Sequence, residues 1–294
     1  EHGIMVDKNN NVWLTGSGNK DGTLLKYTRD GKFLAKFGKQ GPTAGSMDTT
    51  ALGGTASIAF DAQANELFLS DGYFNHRVIV LDANTLGYKR MWGAYGKPPA
   101  DANLPNYNPK SEQFANPVHC VRIANDGLVY VCDRTNLRIQ VFRKDGSYVN
   151  QIVVRPTTRG TGSAYDLAFW PDKNQTYLIV ADGADGEAVI VRRDDGTEID
   201  RFRNRLMIPI FRDTGSVIAF GGRALEADQV PKYLNSPETP IFTKGRVMFG
   251  LDKSKRALLD DGFAIICEGQ LDLIACYMAG VQNVVAPQGT ALTG

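Results

Sequence analysis

"VHCVRIANDGLVYVCDRTNLRIQVFRKDGSYVNQIV", residues 118–153, reads as strand, turn, strand, polar loop, strand, turn, strand. In "LVYVCD" and "RIQVF" the alternation has period two, so each strand is half buried. Asp145-Gly146 separates the last two strands, where a tight hairpin needs a positive φ that glycine reaches without steric cost.

Three further stretches follow the same plan: residues 3–38, 57–93 and 165–202, with Asp30-Gly31 and Asp195-Gly196 in the corresponding turns. A single four-stranded unit cannot cover both of its faces, so the units are expected to stack radially into a β-propeller of about four blades over 1–202. The segment from about 95 to 114, rich in Pro and Asn, reads as a long insertion between the second and third blades.

These units resemble NHL-repeat propellers, most specifically in "SDGYFNHRVIVLD" and "CDRTNLRIQVF". In both, an Asp and an Arg flank a polar turn (Asp71 with Arg77, Asp133 with Arg138), which reads as structural pairing. The stretch also resembles the propeller lyase that cleaves peptidyl-hydroxyglycine. That likeness implies His119 in "NPVHC" and His2 in "HGI" as metal ligands (Zn²⁺ or Ca²⁺), with Tyr73 and Arg134 acting on a peptide or small ligand. Imidazoles from different blades can hold zinc, a Tyr can move a proton, and an Arg can bind a carboxylate. Where the family has its other histidine, "WLTGSG" has none. The usual ring has six blades, so four imply an open one.

Four cysteines (Cys120, Cys132, Cys267, Cys276) contain no C-x-x-C pair and read as small buried hydrophobes. No apolar run reaches membrane-span length, and no signal-like segment opens the chain. Glu1 stands inside a motif without an initiator Met, so the natural N-terminus is expected upstream. Residues 201–258 carry eleven Lys/Arg against five Asp/Glu, whereas 1–200 carry 22 against 23. Such a basic stretch suits an anionic partner, as it also suits an ordinary solvated surface.

After Phe202 the repeat stops, and "PKYLNSPETPIFTKGRVMFGL" (231–251) is polar and basic. "FAIIC" (263–267) reads as a strand buried on both faces of a parallel sheet, with Glu268 at its carboxyl end, where open α/β sheets bind ligands. Leu271, Ile274, Ala275 and Met278 fall at helical spacing, and "NVVA" (283–286) is the next strand.

"RLMIPI", "AFGGR", "KYLNSPET", "FTKG", "FGL", "EGQLD" and "GTALT" run in this order. They resemble the catalytic core of bacterial DNA primase, including the start of its TOPRIM subdomain, over 203–294. The resemblance implies that Arg205, Arg223, Lys232, Asn235 and Lys244 meet single-stranded DNA or nucleotides. It further implies that Glu268 and Asp272 belong to a Mg²⁺ or Mn²⁺ site near Gly289, and that a replicative helicase is a partner. Nucleotidyl transfer also needs an Asp-x-Asp strand, expected beyond Gly294, so this stretch of chain is expected to be inactive. "DRFR" (200–203) suits both the end of a blade and the entry to a primase core, and no flexible linker separates the parts. This pattern predicts a chimera, with a cytoplasmic setting for the primase-like part and an exported one for the propeller part. Two other readings are a genuine fusion, with the propeller as a docking scaffold, and a propeller that acts alone. In the latter it is a binding module or lyase-like metalloenzyme acting on a peptide or small ligand, with the primase-like part incidental.

Overall fold

The computed structural model describes residues 2–199, 202 and 204–288. The chain divides into two compact units, residues 1–199 and 200–294.

The first unit consists of consecutive antiparallel sheets, each with its strands in chain order. The first sheet holds β1 (Ile4–Val6), β2 (Val12–Thr15), β3 (Thr23–Tyr27) and β4 (Phe33–Gly38). The second holds β5 (Thr55–Asp61), β6 (Glu66–Asp71), β7 (Arg77–Asp82) and β8 (Tyr88–Trp92). The third holds β9 (Val118–Ile123), β10 (Val129–Asp133), β11 (Arg138–Phe142) and β12 (Tyr148–Val153). The fourth holds β13 (Asp166–Phe169), β14 (Tyr177–Asp182) and β15 (Glu187–Arg192). Among the described residues its expected outer strand is reduced to one bridge, Val191 to Glu198, so the described part of the fourth repeat is a three-stranded sheet. Gly31, Gly146 and Gly196 sit at φ of 84°, 94° and 73°, the left-handed geometry their hairpins require.

The inner strands are not half-buried as their alternation suggests: β6, β10 and β11 are buried along their whole length. The reason is that each inner sheet has a neighbouring sheet on both faces, and the sheets pack against one another in succession. Trp13 and Leu24 of the first sheet pack with Leu67, Leu69 and Ile79 of the second. Phe68, Val78 and Val80 of the second pack with Val121, Val129 and Phe142 of the third. Cys120, Ile139 and Val141 of the third pack with Leu178, Val180 and Val189 of the fourth. The first strands lie side by side, β1 by β5, β5 by β9 and β9 by β13.

The Asp–Arg pairs are structural. Asp71 stands opposite Arg77 and Asp133 opposite Arg138, each pair wholly buried with a closest N–O distance of 2.8 Å. Arg138 also donates to Pro109 O at 2.9 Å and Gln113 O at 3.2 Å, tying the long insertion to the third sheet. In the fourth sheet the register puts Glu187 opposite Asp182. There Arg155, from outside the sheet, donates to Glu187 at 2.9 Å.

The cysteine expectation needs correction: Cys120 and Cys132 form a disulfide. They are directly opposed in the β9–β10 hairpin, with Cα atoms 4.8 Å apart, so the pairing register itself brings the two sulfurs together. Cys267 and Cys276 carry free thiols.

In the second unit, β16 (Arg205–Phe211), β17 (Val217–Ala224) and β18 (Tyr233–Asn235) form an antiparallel sheet. A second sheet has the order β19 (Met248–Phe249), β21 (Val284–Pro287), β20 (Ile265–Ile266), with β20 parallel to β21. Helices α1 (Leu251–Asp261) and α2 (Gln270–Met278) pack on β21. Ile208, Ile210, Phe242, Phe249, Leu273 and Val284 make the core. The doubly buried strand expected at 263–267 is instead a two-residue edge, with Ile265 39% and Ile266 52% exposed. Among the described residues it pairs with β21 alone, at the edge of the sheet.

Candidate functional site

Equivalent positions in the four sheets follow from register. Aligning the first strands at Ile4, Ile58, Val121 and Leu167, which face Leu14, Leu69, Val131 and Val180 of the second strands, places His2, Ala56, His119 and Tyr165 two residues earlier. His119 lies within a register shift: Cys120 pairs with Cys132 and Val118 with Asp133, which leaves His119 as the extra residue. Such a bulge re-aims the side chain it carries.

The imidazoles are oriented alike. His2 Nδ1 donates to Ala56 O at 2.9 Å, and His119 Nδ1 donates to Tyr165 O at 2.6 Å, each reaching the equivalent position of the next sheet. With Nδ1 carrying the proton, both Nε2 atoms present lone pairs. Both face one phenol: Tyr73 Oη is 2.8 Å from His2 Nε2 and 3.2 Å from His119 Nε2. A single hydroxyl proton satisfies only one of the two imidazole acceptors.

Tyr73 follows Gly72, where a Cβ would lie 2.2 Å from Val118 N; only glycine lets β9 come this close. Arg134 stacks over Tyr165, its guanidinium carbon 4.7 Å from the ring centre. Burial pushes the Tyr73 phenol up from its usual range, and the neighbouring Arg134 charge opposes that rise only in part. Burial also carries His119 down to about 4, with the Tyr165 carbonyl opposing and the Arg134 and His2 charges adding to the fall. His119 is therefore neutral at pH 7.

His2, Tyr73, His119 and Arg134, all named from sequence, thus converge in the first unit. Tyr165 was missed, although aligning the four repeats places it at a blade-start position. Among the described residues no group of three or more His, Cys, Asp or Glu is arranged to hold a metal.

In the second unit, opposed residues share a sheet face. Arg223, Leu206 and Tyr233 lie on one face with Asn235, while Arg205 and Ala224 lie on the other, and the Ala224 N–H donates to Lys232 O. Residues expected to meet nucleic acid together are therefore divided between the two faces at the end of the sheet. Arg205 donates weakly to the Gly222 and Lys232 carbonyls at 3.4 Å. A Cβ on Gly221 would meet both Gln270 Oε1 and Asn235 Oδ1, so Asn235 sits beside the N-terminus of α2. Glu268 lies just past β20 and Asp272 in the first turn of α2, both exposed. Lys244 opens a short 3₁₀ turn whose N–H donates to Glu238 at 3.1 Å. Gly289 and "GTALT" lie outside the described residues, as do Asp200, Arg201 and Arg203.

Residues 142–255 match the family model for the DNA primase catalytic core, N-terminal domain, and residues 118–142 match the NHL repeat. The first of these matches begins at the end of β11 and includes strands that belong to the first compact unit. A DNA primase of Listeria monocytogenes is 47% identical over 110 residues, covering 37% of this chain and 18% of the relative. A DNA primase of Aquifex aeolicus is 33% identical over 193 residues, covering 62% and 38%. The solved RNA polymerase domain of a Mycobacterium tuberculosis primase, in complex with a double-stranded DNA oligomer with a 6-nucleotide overhang, is 40% identical. That match covers 36% of this chain and 33% of that one, with a TM-score of 0.33. The chain spans less than a fifth of the length of the first curated relatives, 18%, 17% and 15%. The second half of the chain thus resembles a primase catalytic core, and the first contains a stretch that matches the NHL repeat.

Proposed function

We propose that the second unit is a primase-core fragment that binds single-stranded DNA and nucleotide phosphates around the end of the β16–β17–β18 sheet. The observation that carries this reading is the primase match, which runs through "AFGGR" and "KYLNSPET". Arg205, Arg223, Lys232 and Lys244 are the residue types that neutralise phosphates, which supplies most sequence-independent affinity. Glu268 and Asp272 would hold Mg²⁺ or Mn²⁺, whose chemistry is to align and charge-stabilise a transferring phosphoryl group. As two carboxylates they offer only part of the oxygen set such ions take, so this chain by itself is not expected to make primers. Fluorescence anisotropy with a labelled single-stranded oligonucleotide should show binding that weakens steeply from about 50 to 200 mM salt. Salt-independent binding, or none at low salt, contradicts the reading.

For the first unit we propose an incomplete NHL-type propeller whose central site holds zinc and a peptide or small carboxylate ligand. The stacked sheets with neighbouring first strands support the ring, and the imidazole acceptor of His2 or His119 that the Tyr73 proton leaves unsatisfied supports a cation. Imidazole nitrogens with Nδ1 held by carbonyls suit zinc rather than calcium. Arg134 supplies a guanidinium fork suited to a carboxylate. Equilibrium dialysis should find one zinc per chain, with affinity falling at least about tenfold in His119→Ala. Absence of zinc, or unchanged affinity in that variant, removes the site.

The disulfide suits an oxidising compartment and a primase a cytoplasmic one, in keeping with a chimeric origin. A continuous sequencing read across codons 195–210 tests it, and one intact natural gene spanning both parts would end that proposal.

A further inference from the structure

Cys267 and Cys276 bring their Sγ atoms to 3.9 Å in the second unit, both half-buried. Cys267 extends β20, its N–H donating to Val285 O at 2.9 Å, and Cys276 lies in the last turn of α2. The nine-residue separation between them contains Glu268, the helix N-cap Gly269 and Asp272. From this geometry we propose that the pair is a site of reversible oxidation, a dithiol that closes to a disulfide and cross-links the end of β20 to α2.

The sulfurs need to close from 3.9 Å to about 2.0 Å, a shift within reach of side-chain rotation and small backbone adjustment. The reaction is thiol–disulfide exchange with a small disulfide such as oxidised glutathione. One cysteine thiolate attacks it and releases a glutathione thiolate, forming a mixed disulfide. The second cysteine thiolate then attacks the protein sulfur of that adduct and releases the other glutathione. In sum, two protons and two electrons pass from the pair to glutathione disulfide, giving two molecules of glutathione. Closure ties the end of β20 to α2 across the segment that carries Glu268 and Asp272. The inference rests on the thiol geometry alone and stands or falls separately from the nucleic-acid reading.

The test uses the whole chain, equilibrated across a series of reduced and oxidised glutathione, acid-quenched, alkylated and peptide-mapped. The expected product is a Cys267–Cys276 cross-linked peptide, two hydrogen atoms lighter than the dithiol, which disappears on adding dithiothreitol. Cys120–Cys132, wholly buried, serves as the unchanging internal reference. Amide exchange over 268–278 should slow by about tenfold or more in the oxidised form, a readout that needs no variant. Cys276→Ser should leave only a glutathione adduct on Cys267. Glutathione adducts without the cross-link in the unsubstituted chain, unreactive thiols, or pairing with Cys120 or Cys132 would each overturn the proposal.

Discussion

Replacing Arg138 with methionine should cost the first unit about 3–5 kcal/mol of stability. The reason is the carboxylate it leaves behind. Asp133 is wholly buried, and Arg138 Nε at 2.8 Å is its charge partner; Asn136 at 3.0 Å and the Ala115 N–H at 2.8 Å add dipoles but no charge. Removing the guanidinium strands a charge inside the third sheet and releases Pro109 and Gln113 of the long insertion, which Arg138 also binds. Urea unfolding should show the loss as a lower midpoint. The double variant Asp133→Asn with Arg138→Met should lose clearly less than the sum of the single variants, because no charge remains to be compensated. A single-variant loss below about 1 kcal/mol would mean the pair is not buried as described.

A comparable effect is expected from pH. His119 titrates near 4 in the folded protein, against an ordinary histidine value in the unfolded chain. Between about pH 6.5 and 4 the unfolded state therefore binds a proton that the folded state refuses, so folding stability rises with pH across that window and is lost as pH falls. The shift corresponds to roughly 3 kcal/mol, from about 1.4 kcal/mol per pH unit. Unfolding midpoints measured from pH 7 to 4 should fall more steeply in the unsubstituted chain than in His119→Gln, which cannot charge. Parallel profiles would show that His119 is charged or solvated in the fold.

Much of the first unit was legible because its signals are local. Period-two alternation and the Asp-Gly turns fix each hairpin without help from distant residues. The buried ion pairs were legible from the Asp and Arg that flank a polar turn in both the second and third repeats. The disulfide was missed because the cysteines were counted instead of placed. Folding 118–133 about its Asn125–Gly127 turn sets Val121 opposite Val131 and hence Cys120 opposite Cys132. Tyr165 was missed because a tyrosine at the head of an apolar strand resembles any core aromatic until the repeats are aligned. In the second unit "FAIIC" misled, since a short apolar run reads alike in a buried strand and an exposed edge, and only the neighbouring layer distinguishes them. The basic residues were found, but their division between two sheet faces depends on register across β16, β17 and β18, which their sequence spacing does not show.

The most direct measurement of the central claim is the salt dependence of single-stranded DNA binding by the chain and by its Arg205→Gln, Arg223→Gln, Lys232→Gln triple variant. If the end of this sheet meets the phosphates, the logarithmic salt slope should fall by about 2 in the variant, near 0.7 for each phosphate no longer neutralised, with weaker binding at every salt concentration. An unchanged slope and affinity in a folded triple variant would put DNA binding elsewhere and contradict the account.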